Sequence, residues 1–183
     1  MNIGENIYKT ERQDIDDDSM RFYFFSNGEK EILKIIEYQK VGLLKEKSLF
    51  NLGFGDYNWE EQKLSDTAIS DNQDHYIVLN TVLSTIPIFF EKYPHSILLV
   101  QGSDSTLTFI ENCERNCTKN CQFECKKAHR RINLYKRFIE RNYLHLSLNY
   151  KFYSGAVNMS GLFVKTEYLE NNDSKIIFIE KIV

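Results

Sequence analysis

The apolar residues between positions 77 and 90 recur every three or four residues, which is the spacing of one face of an α-helix. Short apolar runs lie on both sides of this segment, and the run at 96–101 is apolar on both faces, as in a fully buried strand. A helix between strands needs a sheet on which it can pack. The order therefore predicts an α/β (α+β) fold in which two main helices cover a mixed, mostly antiparallel sheet.

The remaining elements are predicted from the same two periodicities. The central helix is expected to begin near 71–74, and a second helix near 132. The predicted strands are 21–26, 31–39, 48–54, 96–101, 144–153, 161–168 and 175–182, with one short strand at most in the polar stretch 57–73. The dipeptide Asn27-Gly28 tolerates positive φ angles, so it predicts a tight hairpin turn between the first two strands.

Length and composition point to one globular domain preceded by an acidic arm. The chain has 183 residues, of which 42% are hydrophobic and 27% charged, close to the average of soluble domains. Residues 1–19 carry four aspartates and little apolar periodicity. We therefore predict a flexible acidic N-terminal arm at 1–19 and a single α/β domain at 20–183.

Charge and hydropathy bear on the location of the protein and on the class of its partners. The net charge is −3, which argues against nucleic-acid binding by the whole chain. Residues 1–75 hold 9 basic and 16 acidic side chains, whereas 113–151 hold 10 basic and 3 acidic ones. The apolar run at 77–90 is too short to span a bilayer, and the first 18 residues lack the pattern of a secretory signal. We expect a cytoplasmic protein without a membrane partner.

All four cysteines lie within 13 residues at intervals of four, and a histidine continues the series: Cys113, Cys117, Cys121, Cys125 and His129. Thiolate and imidazole ligands suit zinc or an iron–sulfur centre. One straight helix cannot place four ligands tetrahedrally, so a metal site requires a break near Asn116 or Asn120, or a second chain. A disulfide or redox role and simple packing of a helical seam are the alternatives.

Basic residues are concentrated directly after the cysteines. The predicted partner-binding set is Lys126, Lys127, Arg130, Arg131, Arg137 and Arg141. Such a stripe suits an acidic protein or the phosphates of a nucleic acid. A solvated helix face is the alternative explanation.

No catalytic set is visible. The chain lacks G-x-S-x-G, a phosphate-binding P-loop and H-E-x-x-H. Asp56, Asp66, Asp71 and Asp74 are candidates for a carboxylate site, but Asp71 and Asp74 are better explained as caps of the central helix.

The order of strands and helices resembles the core of the GNAT acetyltransferase fold. In that fold, a glycine-rich loop opening the central helix holds the pyrophosphate of acetyl-CoA, where backbone amides favour an anion. The corresponding residues here, SDNQDH at 70–75, include no glycine or arginine and two aspartates. The resemblance therefore implies a degenerate GNAT-like scaffold, and no nucleotide cofactor is expected.

A second resemblance is to a family of small Bacteroidota proteins known only as a domain of unknown function. The matching segments are NLGFGD at 51–56, SDNQD at 70–74, VLNTV at 78–82, GS at 102–103 and RINLY at 131–135. A Cys-rich insertion at about 106–129 separates the last two segments. Related short families look like partners in toxin–antitoxin or phage-defence loci, which is an analogy of setting.

Together these features predict a non-enzymatic bacterial interaction protein with a protein partner, acting as an antitoxin or phage-defence accessory, with zinc as the one candidate cofactor. One alternative is a divergent GNAT-like acyltransferase or other small-ligand enzyme with its pocket at 71–75. The other is a nucleic-acid binder that uses the basic helix.

Overall fold

The computed structural model describes residues 6–65, 72–116, 119–122, 125–170 and 172–182, which contain nine β-strands and four α-helices. The chain divides into two compact units, residues 1–96 and 97–183. Every strand pair described within either unit is antiparallel. The predicted α/β (α+β) class with a mostly antiparallel sheet is therefore confirmed.

The first unit is a meander of five strands, each pairing with the next. The strands are β1 (Glu11–Asp16), β2 (Ser19–Ser26), β3 (Ile32–Leu44), β4 (Lys47–Asn58) and β5 (Lys63–Ser65). Alternate side chains of β2 and β3 point to the same face, where Phe22 lies opposite Ile36 and Met20 opposite Tyr38. All four are fully buried, so this face forms the core of the unit.

The structure differs from the sequence-based prediction at the acidic N-terminal segment. β1 lies inside the predicted flexible arm and pairs with β2 along its length, although all six of its residues are exposed. Its backbone hydrogen bonds come from the neighbouring strand, so an edge strand of this kind needs no apolar face. Tyr8 adds a contact by stacking on Phe24, with 5.6 Å between the ring centroids.

The Asn27-Gly28 prediction was right about the hairpin and wrong about the turn. β2 and β3 pair, but five residues join them, and Gly28 does not have a positive φ. A Cβ on Gly28 would lie 2.6 Å from Cγ of Asn72, so glycine is required by this close approach. The tight turn lies between β3 and β4 instead, where Lys45 and Glu46 have φ angles of 50° and 66°.

A single long helix covers the core face of the first unit. α1 (His75–Lys92) buries one side of its 18 residues against the sheet. The Phe89 ring stacks on Tyr38 at 4.7 Å between centroids, and the Tyr38 and Thr85 hydroxyls are 2.7 Å apart. The helical spacing read from the sequence is thus the packing face of α1.

Among its described residues, the second unit has four strands and three α-helices. The strands are β6 (Ile97–Gln101), β7 (Tyr150–Val157), β8 (Phe163–Glu167) and β9 (Ile176–Lys181), in the order β6-β9-β7-β8. The helices are α2 (Leu107–Arg115), α3 (Arg130–Arg141) and α4 (Tyr143–Leu146). β9 lies between two strands, and its Ile177 and Phe178 are both fully buried. The two main predicted helices correspond to α1 and α3.

The predicted strand at 144–153 is only half correct. Tyr143–Leu146 forms the short helix α4, and the strand begins at Tyr150. Leu144 and Leu148 have 89% and 71% of their surface exposed. Their alternation therefore does not mark the buried face of a strand.

Candidate functional site

The start of α1, predicted as the pocket of an alternative enzyme, is occupied by a buried polar cluster. Asp74 holds the N-cap position, but its side chain makes no capping hydrogen bond. Its Oδ2 accepts hydrogen bonds from the Ser26 hydroxyl at 2.6 Å and the Tyr8 hydroxyl at 2.8 Å. The prediction that Asp74 caps the helix with its carboxylate is therefore wrong, because the carboxylate turns toward β2. Asp66 and Asp71 lie outside the described residues.

This cluster places a carboxylate where a diphosphate would need positive groups. Asp74 is buried. The pKa of Tyr8 is raised, first by the burial of Tyr8 itself and then by the hydrogen bond that its hydroxyl makes with the Asp74 carboxylate. Asn72 completes the cluster by donating from Nδ2 to the Ser26 hydroxyl at 2.9 Å. The arrangement ties the segment before β1 and the end of β2 to the helix, and it disfavours an anionic ligand at this point.

In the second unit, the loop after β6 meets the first turn of α3. Asp104 is buried, and its Oδ2 accepts the backbone N–H of Arg131 at 3.0 Å. The Arg131 guanidinium in turn donates from Nη1 to the Ser103 hydroxyl at 2.8 Å. A carboxylate at this position favours the helix through both the hydrogen bond and the helix dipole. Arg131, predicted as a partner contact, therefore has an internal role in the fold.

The same junction explains why glycine stands at 102. A Cβ there would lie 2.6 Å from Oδ1 of Asp104 and 3.0 Å from the backbone nitrogen of Ile132. Two segments of the family resemblance, 102–103 and 131–135, are thus neighbours in space although a 27-residue stretch separates them. Sequence reasoning assigned no role to Asp104, since a cap so far from its helix along the chain leaves no local signal.

Tyr135, on α3 near this junction, gives an expected pH dependence of stability. Burial raises the pKa of Tyr135 to about 12, while Arg131 opposes and Asp104 adds to the shift. A tyrosine in the unfolded chain ionises near pH 10, whereas the folded Tyr135 keeps its proton to a higher pH. The contribution of un-ionised Tyr135 to the free energy of unfolding is therefore fully present below about pH 10 and is lost as the pH rises to about 12. The loss is about 2–3 kcal/mol. Urea unfolding of the wild type and of Tyr135→Phe across this range should show the flatter profile in the variant, and equal slopes would contradict the expectation.

The predicted basic stripe is divided between solvent and the interior. Arg130, Arg137 and Arg141 are exposed at seven- and four-residue spacing, on the side of α3 opposite the buried Ile132 and Ile139. We call these three arginines the basic face. Of the other predicted residues, Lys126 is exposed and Lys127 and Arg131 are half-buried.

Lys136 does not belong to the basic face. It is buried, and its Nζ donates a hydrogen bond to the backbone carbonyl of Asn172. Burial lowers the pKa of this lysine, and the charge of Lys175 lowers it further. Its position after the buried Ile132 on the same helix side explains its inward direction.

The cysteine segment is not one straight helix, and α2 ends near the position where a metal site would require a break. α2 ends at Arg115 with Asn116 as its C-cap, and Asn120 has a positive φ of 50°. The break brings the Sγ atoms of Cys113 and Cys125 to 2.8 Å, whereas the Cys121 Sγ accepts the backbone N–H of Lys126 at 3.3 Å. His129 has a φ of 61° at the N-cap of α3, and its backbone N–H donates to the backbone carbonyl of Asp104.

The described cysteines do not by themselves build a metal centre. Among the described residues, no three His, Cys, Asp or Glu side chains are grouped so that they could hold a metal ion. Cys117, the remaining member of the predicted ligand set, lies outside the described residues. The zinc site over Cys113, Cys117, Cys121, Cys125 and His129 therefore stays a prediction.

Comparison with known proteins gives one match. A family model described as "Family of unknown function (DUF6934)" matches residues 5–110, more than half of the chain. The match includes the Asp74 cluster and Asp104, and it ends before the first cysteine and before α3. No curated protein and no solved structure matches the chain. Within the described part of the chain, each helix falls short of the length or apolar character needed to cross a bilayer.

Proposed function

Because the chain belongs to DUF6934, a family of unknown function, we propose its function from its own surfaces: it is a non-enzymatic interaction protein that binds an acidic protein partner through the basic face. The observation that carries the proposal is the exposure of Arg130, Arg137 and Arg141 on one side of α3. Arginine suits this task, since its planar guanidinium pairs with two carboxylate oxygens at once.

Only part of the positive charge of α3 is engaged in hydrogen bonds and ion pairs among the described residues. The helix has five basic residues and one acidic residue. Arg131 and Lys136 make internal hydrogen bonds, as described above, whereas Arg130 and Arg137 form no ion pair with any residue that the structure describes. Positive charge of this kind raises the rate at which an acidic surface associates and fixes its orientation.

Apolar exposure next to the basic face favours a protein over a nucleic acid. Leu144 and Leu148 follow Arg141 within seven residues, and most of the surface of each is exposed. Leucine gives no stacking platform for a base, whereas a protein interface combines an apolar centre with arginine contacts. The net charge of −3 also leaves little general attraction to phosphates.

The proposal extends to the setting. We propose a bacterial, cytoplasmic antitoxin or phage-defence accessory, by analogy with related short families. An acyltransferase is the weaker candidate, because the Asp74 carboxylate lies at the N-terminus of α1, where a coenzyme A diphosphate would be repelled.

Charge reversal on the basic face tests the function. The tagged full chain is purified from its native host, and co-purifying proteins are quantified by mass spectrometry for the wild type and for Arg130→Glu/Arg137→Glu. We expect one acidic protein to be enriched by the wild type and reduced at least about tenfold by the double variant, because each lost contact is replaced by a repulsion. Lys9→Glu, at an exposed lysine of the first unit, is the matched control and should retain the partner.

A second measurement separates the classes of partner. Fluorescence anisotropy with labelled duplex DNA and single-stranded RNA at about 50 mM salt would show binding if phosphates were the target. The proposal would be overturned if the double variant retained the protein partner. It would also be overturned if the wild type bound nucleic acid and the double variant lost that binding.

A further inference from the structure

Two of the three described thiols are in direct contact, as donor and acceptor of a hydrogen bond. The Sγ atoms of Cys113 and Cys125 are 2.8 Å apart, while even carbon atoms, which are smaller than sulfur, prefer roughly 3.5–4.0 Å. Two thiolates on a tetrahedral zinc ion would be separated by about 3.8 Å, given Zn–S bonds of about 2.3 Å. We propose that Cys113 and Cys125 are a redox-active dithiol pair that closes to an intramolecular disulfide.

The structure selects this pair among the cysteines it describes. Cys121 lies four residues before Cys125, and its Sγ accepts the backbone N–H of Lys126. Both Cys113 and Cys125 are half-buried, so a small oxidant can reach them. Lys126 and Lys127 follow Cys125 directly, and positive charge nearby stabilises the thiolate that attacks a disulfide.

The bond would fasten the least anchored of the longer helices. None of the nine residues of α2 is buried, and only Phe109, Ile110 and Cys113 are half-buried. Cys125 lies at the other end, where its carbonyl accepts the N–H of Ala128 in the turn that leads into α3. Closing the pair therefore ties the last turn of α2 to the entry of α3, and its opening leaves α2 with few contacts to hold it.

The reaction is an ordinary thiol–disulfide exchange with a small-molecule disulfide such as oxidised glutathione. One cysteine thiolate attacks the glutathione disulfide, which forms a mixed disulfide and releases one glutathione thiolate. The second cysteine thiolate attacks the protein sulfur of that mixed disulfide, which forms the Cys113–Cys125 bond and releases the second glutathione. Each cysteine thiol gives up its proton to solvent or to a released thiolate, and the glutathione disulfide is reduced by two electrons.

The test uses the full chain incubated in glutathione buffers of increasing oxidised fraction, quenched in acid and alkylated. Tryptic cleavage separates the peptides 93–115, 116–119 and 120–126, which carry Cys113, Cys117 and the other two cysteines. We expect a link between 93–115 and 120–126, with the loss of two alkylatable thiols per monomer. The double variant Cys117→Ser/Cys121→Ser retains only the proposed pair and should lose both of its thiols in the same buffers.

The single variants decide the assignment. Cys113→Ser and Cys125→Ser should lose the link, whereas Cys117→Ser and Cys121→Ser are the matched controls and should keep it. A predominant link through Cys117 or Cys121 in the wild type, persistence of both thiols in the double variant, or a stoichiometric zinc ion that protects all four cysteines from alkylation would each overturn the proposal.

Hydrogen exchange then tests the structural consequence. Oxidation of the double variant should slow amide exchange across Leu107–Arg115 by at least about tenfold, while exchange in β9 should not change. Equal exchange of α2 in the two redox states would show that closure of the disulfide does not fasten this helix.

Discussion

Phe89→Ala is expected to lower the free energy of unfolding by about 3–5 kcal/mol, the usual cost of removing a large aromatic side chain from a core. The Phe89 side chain is fully buried. Its ring lies 4.7 Å from that of Tyr38 on the sheet, 5.1 Å from Phe50 and 5.2 Å from Tyr93, measured between centroids. Truncation therefore leaves a cavity between α1 and its own sheet, where rigid aromatic neighbours cannot collapse.

Urea unfolding followed by far-UV circular dichroism measures this loss, because the single tryptophan, Trp59, is 70% exposed and reports poorly on the core. Glu91→Ala, at an exposed position of the same helix, is the matched control and should change stability by no more than about 0.5 kcal/mol. Phe89→Leu retains much of the apolar volume and should lie between the two. Similar midpoints for Phe89→Ala and Glu91→Ala would contradict the packing of α1 described here.

The core of this helix was predictable because its cause is local in sequence. Apolar residues at helical spacing can bury one face only if they form a helix, and α1 buries Val78, Val82 and Phe89 along that face. The alternation of β2 works in the same way, since its period of two matches a half-buried strand.

β1 and the start of β7 could not be predicted in this manner. β1 is held by backbone hydrogen bonds to β2, and its exposed acidic side chains carry no apolar signal. Leu144 and Leu148 show the alternation of a strand, but they are exposed, and periodicity does not record which side chains find a partner. The hydrophobic pattern therefore fails in two cases. It gives no signal for a strand whose side chains are exposed, and it predicts a strand where alternating apolar side chains are exposed.

For the candidate site, the sequence predicted only that the cysteine segment must be broken for its side chains to meet. Five ligand candidates at intervals of four cannot meet on one straight helix, and the chain does break at Asn116 and Asn120. Which thiols then meet depends on the path of the loop, so the pairing of Cys113 with Cys125 had no signal in the spacing. The contact of Asp104 with Arg131 was hidden for the same reason, because the insertion separates the two residues along the chain.

Removing one member of the buried Lys34–Asp56 pair should also be strongly destabilising. The Lys34 Nζ lies 2.5 Å from Oδ1 of Asp56, and the two side chains expose only 6% and 13% of their surface. They lie opposite each other in β3 and β4, two residues along the strand from the buried Ile36, on the face that α1 covers. Asp56→Ala removes this carboxylate from the buried lysine charge, and we expect a loss of about 3–5 kcal/mol.

The double replacement distinguishes the worth of the pair from the cost of breaking it. Lys34→Met/Asp56→Leu removes both charges and retains apolar volume, so its free energy of unfolding should return to within about 1 kcal/mol of the wild type. The coupling energy is obtained from urea unfolding of the wild type, Lys34→Met, Asp56→Leu and the double variant. If the losses of the two single variants simply add in the double variant, the pair is not the buried ion pair that the register of β3 and β4 creates. If the double variant recovers, the pair contributes little net stability, and its role is to favour the register that aligns Lys34 with Asp56 over one that buries either charge alone.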